Sequence, residues 1–160
     1  MFTIKEILDM AIRIEKNGEA VYRNAIEKIS NPALISLLEW MADEEVKHAQ
    51  WFSNLQQHIE TPLKNTFIEN MSPELLNDII GDQSFSLKEV DFSQIKNIND
   101  LIDTFIEFEK DSILFYEMLK MLIQNEETLE QLNQIINEEN NHIQQLQEFI
   151  KSDMSVEDMS

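Results

Sequence analysis

The two halves of the chain carry the same residues at the same spacing. Glu15 recurs as Glu109, Tyr22 as Tyr116, Glu45 as Glu139 and His48 as His142, each 94 positions on (109 − 15, 142 − 48). Leu8/Ile102, Asp9/Asp103, Ile12/Ile106, Lys16/Lys110, Leu38/Leu132 and Glu44/Glu138 share the offset. An offset kept by both apolar and ionisable positions marks a duplicated structural unit, so the fold must place two copies in equivalent environments.

Periodicity identifies the unit. Apolar residues three and four apart define four long segments, two in each copy. The first runs from about Thr3 to Ser30 along Leu8, Ala11, Tyr22, Ala25 and Ile29, and the second from about Pro32 to Ile59 along Leu34, Leu38, Met41, Phe52 and Leu55. Pro32 pushes Asn31 out of the helical region and itself suits a first turn, so a helix break falls between them. The third runs from about Ile98 to Asn125 and the fourth from about Glu127 to Lys151. With only 2 glycines and 3 prolines in 160 residues, little interrupts these segments. The expected fold is all-α, a four-helix bundle built from a duplicated helical hairpin.

One bundle domain is expected over residues 1–152. The stretch of about 60–97 holds most of the chain's helix breakers and reads as a long crossover between helices two and three, with a short helix capped at Ser72 and ending at Gly81. The polar residues 153–160 read as a frayed tail. The chain has no cysteine, which excludes disulfides, thiolate-bound zinc, iron–sulfur clusters and a built-in rubredoxin module. A formal charge of −19 opposes nucleic acid and anionic lipid as partners. No signal-peptide core opens the sequence and no apolar run approaches membrane-spanning length, so a cytoplasmic protein is expected.

The apolar stripes contain residues that do not belong in a greasy core. Seam spacing places Glu15 between Ala11 and Tyr22, and Glu45 with His48 between Met41 and Phe52. The second copy places Glu109 between Phe105 and Tyr116, and Glu139 with His142 between Ile135 and Leu146. Isolated ionised carboxylates in a core cost several kcal/mol each unless paired, and four that face one another repel. Either positive charge neutralises them or protons do. Glu and His three apart on a helix project from one face, so a Glu-x-x-His helix offers an oxygen and a nitrogen to the same ion. One Glu from each of two helices with a Glu-x-x-His from each of the others is the ligand pattern of di-iron and di-manganese carboxylate bundles. Four carboxylates and two neutral imidazoles balance two divalent cations in charge.

The segments AIRIEKNGEAVY, MADEEVKHAQWF, FIEFEKDSILFY and INEENNHIQQL resemble those of the rubrerythrin-like branch of the ferritin-like di-iron proteins. The resemblance implies that Glu15, Glu45, His48, Glu109, Glu139 and His142 hold two iron ions, with Glu45 and Glu139 bridging them and Tyr22 and Tyr116 supporting the ligands. It implies a ferritin-like bundle, reduction of hydrogen peroxide or oxidation of ferrous iron by dioxygen, and a homodimer. Manganese, or a mixed site, stays open. Lacking cysteine, the chain would need an external electron donor such as a rubredoxin. Rubrerythrins with a fused rubredoxin also resemble one another in a further carboxylate one turn after the third-helix ligand. This chain has Ser112 there, and Gly18 at its repeat mate. Small residues at these places fit either room for a dioxygen-sized substrate or close helix packing. Glu44 and Glu138 fall off the seam by helical phase and read as solvated or as neighbours of the ligands, and His58, lacking a repeat mate, reads as a surface histidine.

Overall fold

The computed structural model describes residues 3–59 and 95–152. Among these, four helices form and no strand: α1 (Ile4–Ile26), α2 (Pro32–His58), α3 (Ile98–Lys120) and α4 (Glu126–Lys151). The expected crossover helix from Ser72 to Gly81 and the tail lie outside the described residues.

Each helix begins on a side-chain cap. Thr3 accepts from the Glu6 N–H at 3.1 Å, Asn31 from Leu34 at 3.1 Å, Asn97 from Asp100 at 2.8 Å and Asn125 from Thr128 at 2.9 Å. Each satisfies one of the amide groups that a helix start leaves without an internal partner. Asn31 and Asn125 are themselves repeat mates, so the duplication extends to the turns.

The helix ends differ from the expected ones for a packing reason. The apolar stripe of α1 continues to Ile29, yet the helix stops at Ile26 and tightens, with the Lys28 N–H bonded to the Ala25 carbonyl at 2.9 Å. Ile29 stays buried from within the turn. After Lys120, the Leu122 N–H bonds the Leu119 carbonyl at 3.0 Å, and Leu122 and Ile123 remain buried. In both hairpins the core outlasts the helix, so periodicity overestimated its length.

The apolar core divides into two layers. One joins Ile7, Leu8 and Ile14 of α1 with Phe52, Phe115, Leu119, Leu132 and Ile136. The other joins Val21 and Ala25 of α1 with Leu34, Leu38, Leu101, Phe105, Phe108 and Leu146. The early part of α1 therefore shares a layer with the late parts of α2 and α3 and the early part of α4, and its late part with the converse set. Residues near the middle of every helix fall between the layers, where Glu15, Glu45, Glu109 and Glu139 sit. No helix among the described residues is long and apolar enough to cross a membrane.

Leu38 and Leu132 are repeat mates in opposite layers, and both are fully buried. Leu38→Ala and Leu132→Ala are each expected to destabilise the protein by about 2–5 kcal/mol through lost burial and an unfilled cavity. Urea denaturation followed by circular dichroism measures both.

Candidate metal centre

All six predicted residues are buried at mid-height of the bundle: Glu15 on α1, Glu45 and His48 on α2, Glu109 on α3, Glu139 and His142 on α4. They form two groups able to hold a metal ion, Glu15–Glu45–His48–Glu139 and Glu45–Glu109–Glu139–His142, and within each group the donor atoms lie within 4.8 Å of one another. Glu45 and Glu139 belong to both, which is where a carboxylate must stand to bridge two ions. Both histidines turn Nδ1 into the cage. His48 Nδ1 lies 2.7 Å from Glu139 Oε1 and 3.5 Å from Glu15 Oε2. His142 Nδ1 lies 3.3 Å from Glu45 Oε1, 3.4 Å from Glu109 Oε1 and 3.5 Å from Glu139 Oε2. The two rings stack with centroids 6.4 Å apart.

The electrostatics are those of an overcrowded anionic site. Burial, then repulsion from the other glutamates, raises the Glu45 and Glu139 carboxyls well above the usual range. Burial pushes Glu109 upward too, but its hydrogen bonds to Glu139, His142 and Tyr22 and the His142 charge outweigh this and lower it. Burial disfavours a charged His48, but attraction and hydrogen bonding to Glu15 and Glu139 raise it to about 11. His142 is raised in the same way by Glu109, Glu139 and Glu44, against its burial. Protons on the imidazoles and shared among the carboxylates thus hold the cage together. They do so incompletely: Glu15 Oε2, Glu45 Oε1, Glu109 Oε2 and Glu139 Oε2, one oxygen from each carboxylate, are buried without a well-aligned hydrogen bond, and three of them have only an imidazole Nδ1 at 3.3–3.5 Å. Buried polar atoms are ordinarily paired, and four acceptors short of good hydrogen bonds around one space fit divalent cations. An oxygen- and imidazole-rich, sulfur-free donor set suits iron or manganese.

A second ring of contacts crosses between the hairpins. The Tyr22 hydroxyl on α1 donates to Glu109 on α3, and the Tyr116 hydroxyl on α3 donates to Glu15 on α1. Burial, then the adjoining glutamate (Glu109 for Tyr22, Glu15 for Tyr116), raises both phenols well above their ordinary value, so they stay protonated donors. Outside the cage, His142 Nε2 lies 2.8 Å from Glu44 Oε1 and His48 Nε2 lies 3.1 Å from Glu138 Oε1. The hydrogen bond to His142 lowers the Glu44 carboxyl, against its partial burial. Helical phase alone left these two glutamates between solvent and site, and the structure puts them against the histidines. Trp40 and His142 meet in a T-shaped contact, centroids 5.2 Å apart, while the Trp51 indole N–H donates to Gln131 and His58 is exposed.

A rubrerythrin family profile matches residues 6–150. The chain belongs to the rubrerythrin family. Among solved structures it is similar to a Thermotoga maritima protein provisionally described as ferritin-like and diiron-carboxylate. That likeness has a TM-score of 0.70 and 24% identity, over 96% of this chain and 97% of that one. A hypothetical protein from Pyrococcus furiosus is similar too, with a TM-score of 0.67 and 24% identity over 92% of this chain and 88% of the other. These likenesses establish the ferritin-like fold. No curated protein matches the chain.

Within this rubrerythrin, the small residues beside the cage have different surroundings. A Cβ at Gly18 would stand 2.9 Å from Glu45 Oε2 and 3.4 Å from a Phe108 ring carbon. The absent side chain therefore gives the Glu45 carboxylate its place. Ser112, the repeat mate, is buried and its hydroxyl donates to the Phe108 carbonyl at 3.1 Å. Gly18→Ala is expected to leave the helices intact, because a carboxylate can rotate, but to displace Glu45. Competition against a chelator would then show metal binding weakened at least several-fold, whereas Ser112→Ala would bind as the parent does.

The raised imidazoles set a pH dependence for the metal-free protein. A group whose folded pKa lies above its unfolded value contributes stability that is complete below the unfolded pKa and is lost as pH rises through the folded one. For His48 that window runs from 6.5 to about 11, and His142 acts in the same direction. Urea midpoints measured in chelator should fall as pH rises from about 7 to 10. Added divalent metal should do the reverse, its stabilisation growing over that range because it needs unprotonated ligands.

Proposed function

We propose that this rubrerythrin is a di-iron oxidoreductase that reduces hydrogen peroxide with electrons from an external protein donor such as a rubredoxin. The observation that carries the reading is the doubled donor set, four buried carboxylate oxygens without a well-aligned hydrogen bond and two inward Nδ1 atoms around one buried space. Glu15 and His48 would hold one ion and Glu109 and His142 the other, while Glu45 and Glu139 are within reach of both. Held there as two ferrous ions, the metal would supply the two electrons that the reduction of peroxide to two waters needs, along with two protons.

The chain's own residues prepare this chemistry. The apolar layers above and below keep bulk water from the cage and strengthen every electrostatic interaction inside it. Tyr22 and Tyr116 fix one oxygen each of Glu109 and Glu15 by donating to it, and as protonated phenols they keep a proton close to the site. These 160 residues hold no cysteine for a redox module, so on this reading the electrons come from another protein. Exposed to stoichiometric peroxide, the anaerobic diferrous protein should oxidise in a single fast turnover. Much faster oxidation by dioxygen would refute the peroxidase reading.

A second reading, a ferroxidase that handles iron, is favoured by the net charge of −19, which concentrates ferrous ions at the surface. It requires retention and oxidation of more than two irons per chain. Uptake that saturates at two, with no further iron consumed, would count against it. Metal that raises the melting temperature without any redox turnover would instead support a purely structural site.

A further inference from the structure

The two glutamates outside the cage repeat the pattern of everything inside it. Glu44 on α2 meets His142 on α4 at 2.8 Å, and Glu138 on α4 meets His48 on α2 at 3.1 Å. Each contact is the image of the other under the 94-residue offset (138 − 44, 142 − 48). Neither glutamate behaves like a solvated surface acid. The Glu44 side chain is 17% exposed and Glu138 31%, whereas the neighbouring Asp43 side chain is 67% exposed. Both meet the imidazole nitrogen that points out of the cage. A neutral imidazole has one N–H and one lone pair, and the partner of one nitrogen decides which form the other takes.

We propose that Glu44 and Glu138 are positioning residues that hold His142 and His48 in the tautomer and ring orientation that leave Nδ1 free to bind metal. The inference rests on the di-metal reading above. A carboxylate accepting from Nε2–H places the proton there and the lone pair on Nδ1, inside the cage. Because each acid stands on the hairpin opposite its histidine, neither hairpin aligns its own imidazole. Docking of one hairpin on the other therefore completes the ligand as well as the cage. α1 runs closely along α2, and α3 along α4, while α2 and α4 approach at fewer places, so these two bonds also fix the register across the less intimate seam. Carboxylate partners of metal-bound histidines typically change affinity about 10–100-fold when removed.

Cobalt(II) tests this in the full chain, since its visible bands report ligand geometry and its affinity can be read against a competing chelator. Glu44→Ala and Glu138→Ala should each weaken cobalt binding about 10–100-fold and shift the bands. Glu44→Gln and Glu138→Gln should recover most of the affinity, because the amide oxygen still accepts from Nε2–H. Glu39→Ala, at an exposed acid on α2, should match the parent. Alanine variants that bind as tightly as the parent with unchanged bands would overturn the inference, as would glutamine variants as weak as the alanine ones. A measurement without substitution guards against a variant that fails to fold. Nitrogen NMR of the zinc-loaded parent should show both imidazoles carrying their proton on Nε2, and a proton on Nδ1 would overturn the proposal. A parent that binds fewer than two cobalt ions would refute the di-metal reading itself, a result distinct from two bound ions insensitive to Glu44 and Glu138.

Discussion

Four carboxylates buried within reach of one another inside an apolar bundle cannot all be ionised without a compensating charge. The rest of the structure is organised around that constraint. In the metal-free molecule, protons meet it: the Glu45 and Glu139 carboxyls are raised well above their usual range, and both imidazoles hold their protons beyond the usual value. One oxygen on each carboxylate still lacks a well-aligned hydrogen bond. A hydrophobic set of the same volume would stabilise a four-helix bundle at least as well, since burying charge is repaid only by near-perfect pairing. Two divalent cations would balance the same groups in full, which makes the stability of the fold and its affinity for metal two aspects of one electrostatic problem.

Duplication is the means by which so short a chain meets that constraint. Each hairpin supplies three of the six donors, and almost every supporting contact reaches across to the other copy. Tyr22 serves Glu109, Tyr116 serves Glu15, Glu44 serves His142 and Glu138 serves His48. A single hairpin would carry half a cage whose glutamates and histidine lack these bonded partners. Strict symmetry is broken where Gly18 has Ser112 as its repeat mate, and the break has a physical consequence: the space over Gly18 belongs to the Glu45 carboxylate, whereas Ser112 satisfies its hydroxyl on its own helix. The two copies therefore differ in the side chain they set one turn after the first glutamate of each hairpin.

Much of this was legible in the sequence because helical periodicity converts spacing into direction. Glu15, Glu45, His48, Glu109, Glu139 and His142 interrupt apolar stripes in phase, and the structure buries all six together. The 94-residue offset and the Glu-x-x-His spacing carried the family resemblance, and the rubrerythrin profile over residues 6–150 establishes it. Helix ends were less legible, because burial of Ile29, Leu122 and Ile123 continues through turns whose hydrogen bonds are no longer α-helical. The roles of Glu44 and Glu138 were not readable from phase. They depend on how far a long side chain leans toward a neighbouring helix, which no single-helix pattern encodes. The same holds for Gly18, whose importance lies in an atom of α2 that only the packed bundle brings near.

Anomalous diffraction at the iron edge, from crystals of protein loaded anaerobically with ferrous iron, tests the central claim most directly. Two peaks should appear inside the bundle, both joined to Glu45 and Glu139, one also to Glu15 and His48 and the other to Glu109 and His142. A single peak, no peak, or iron held only by carboxylates on the outer surface would contradict the account.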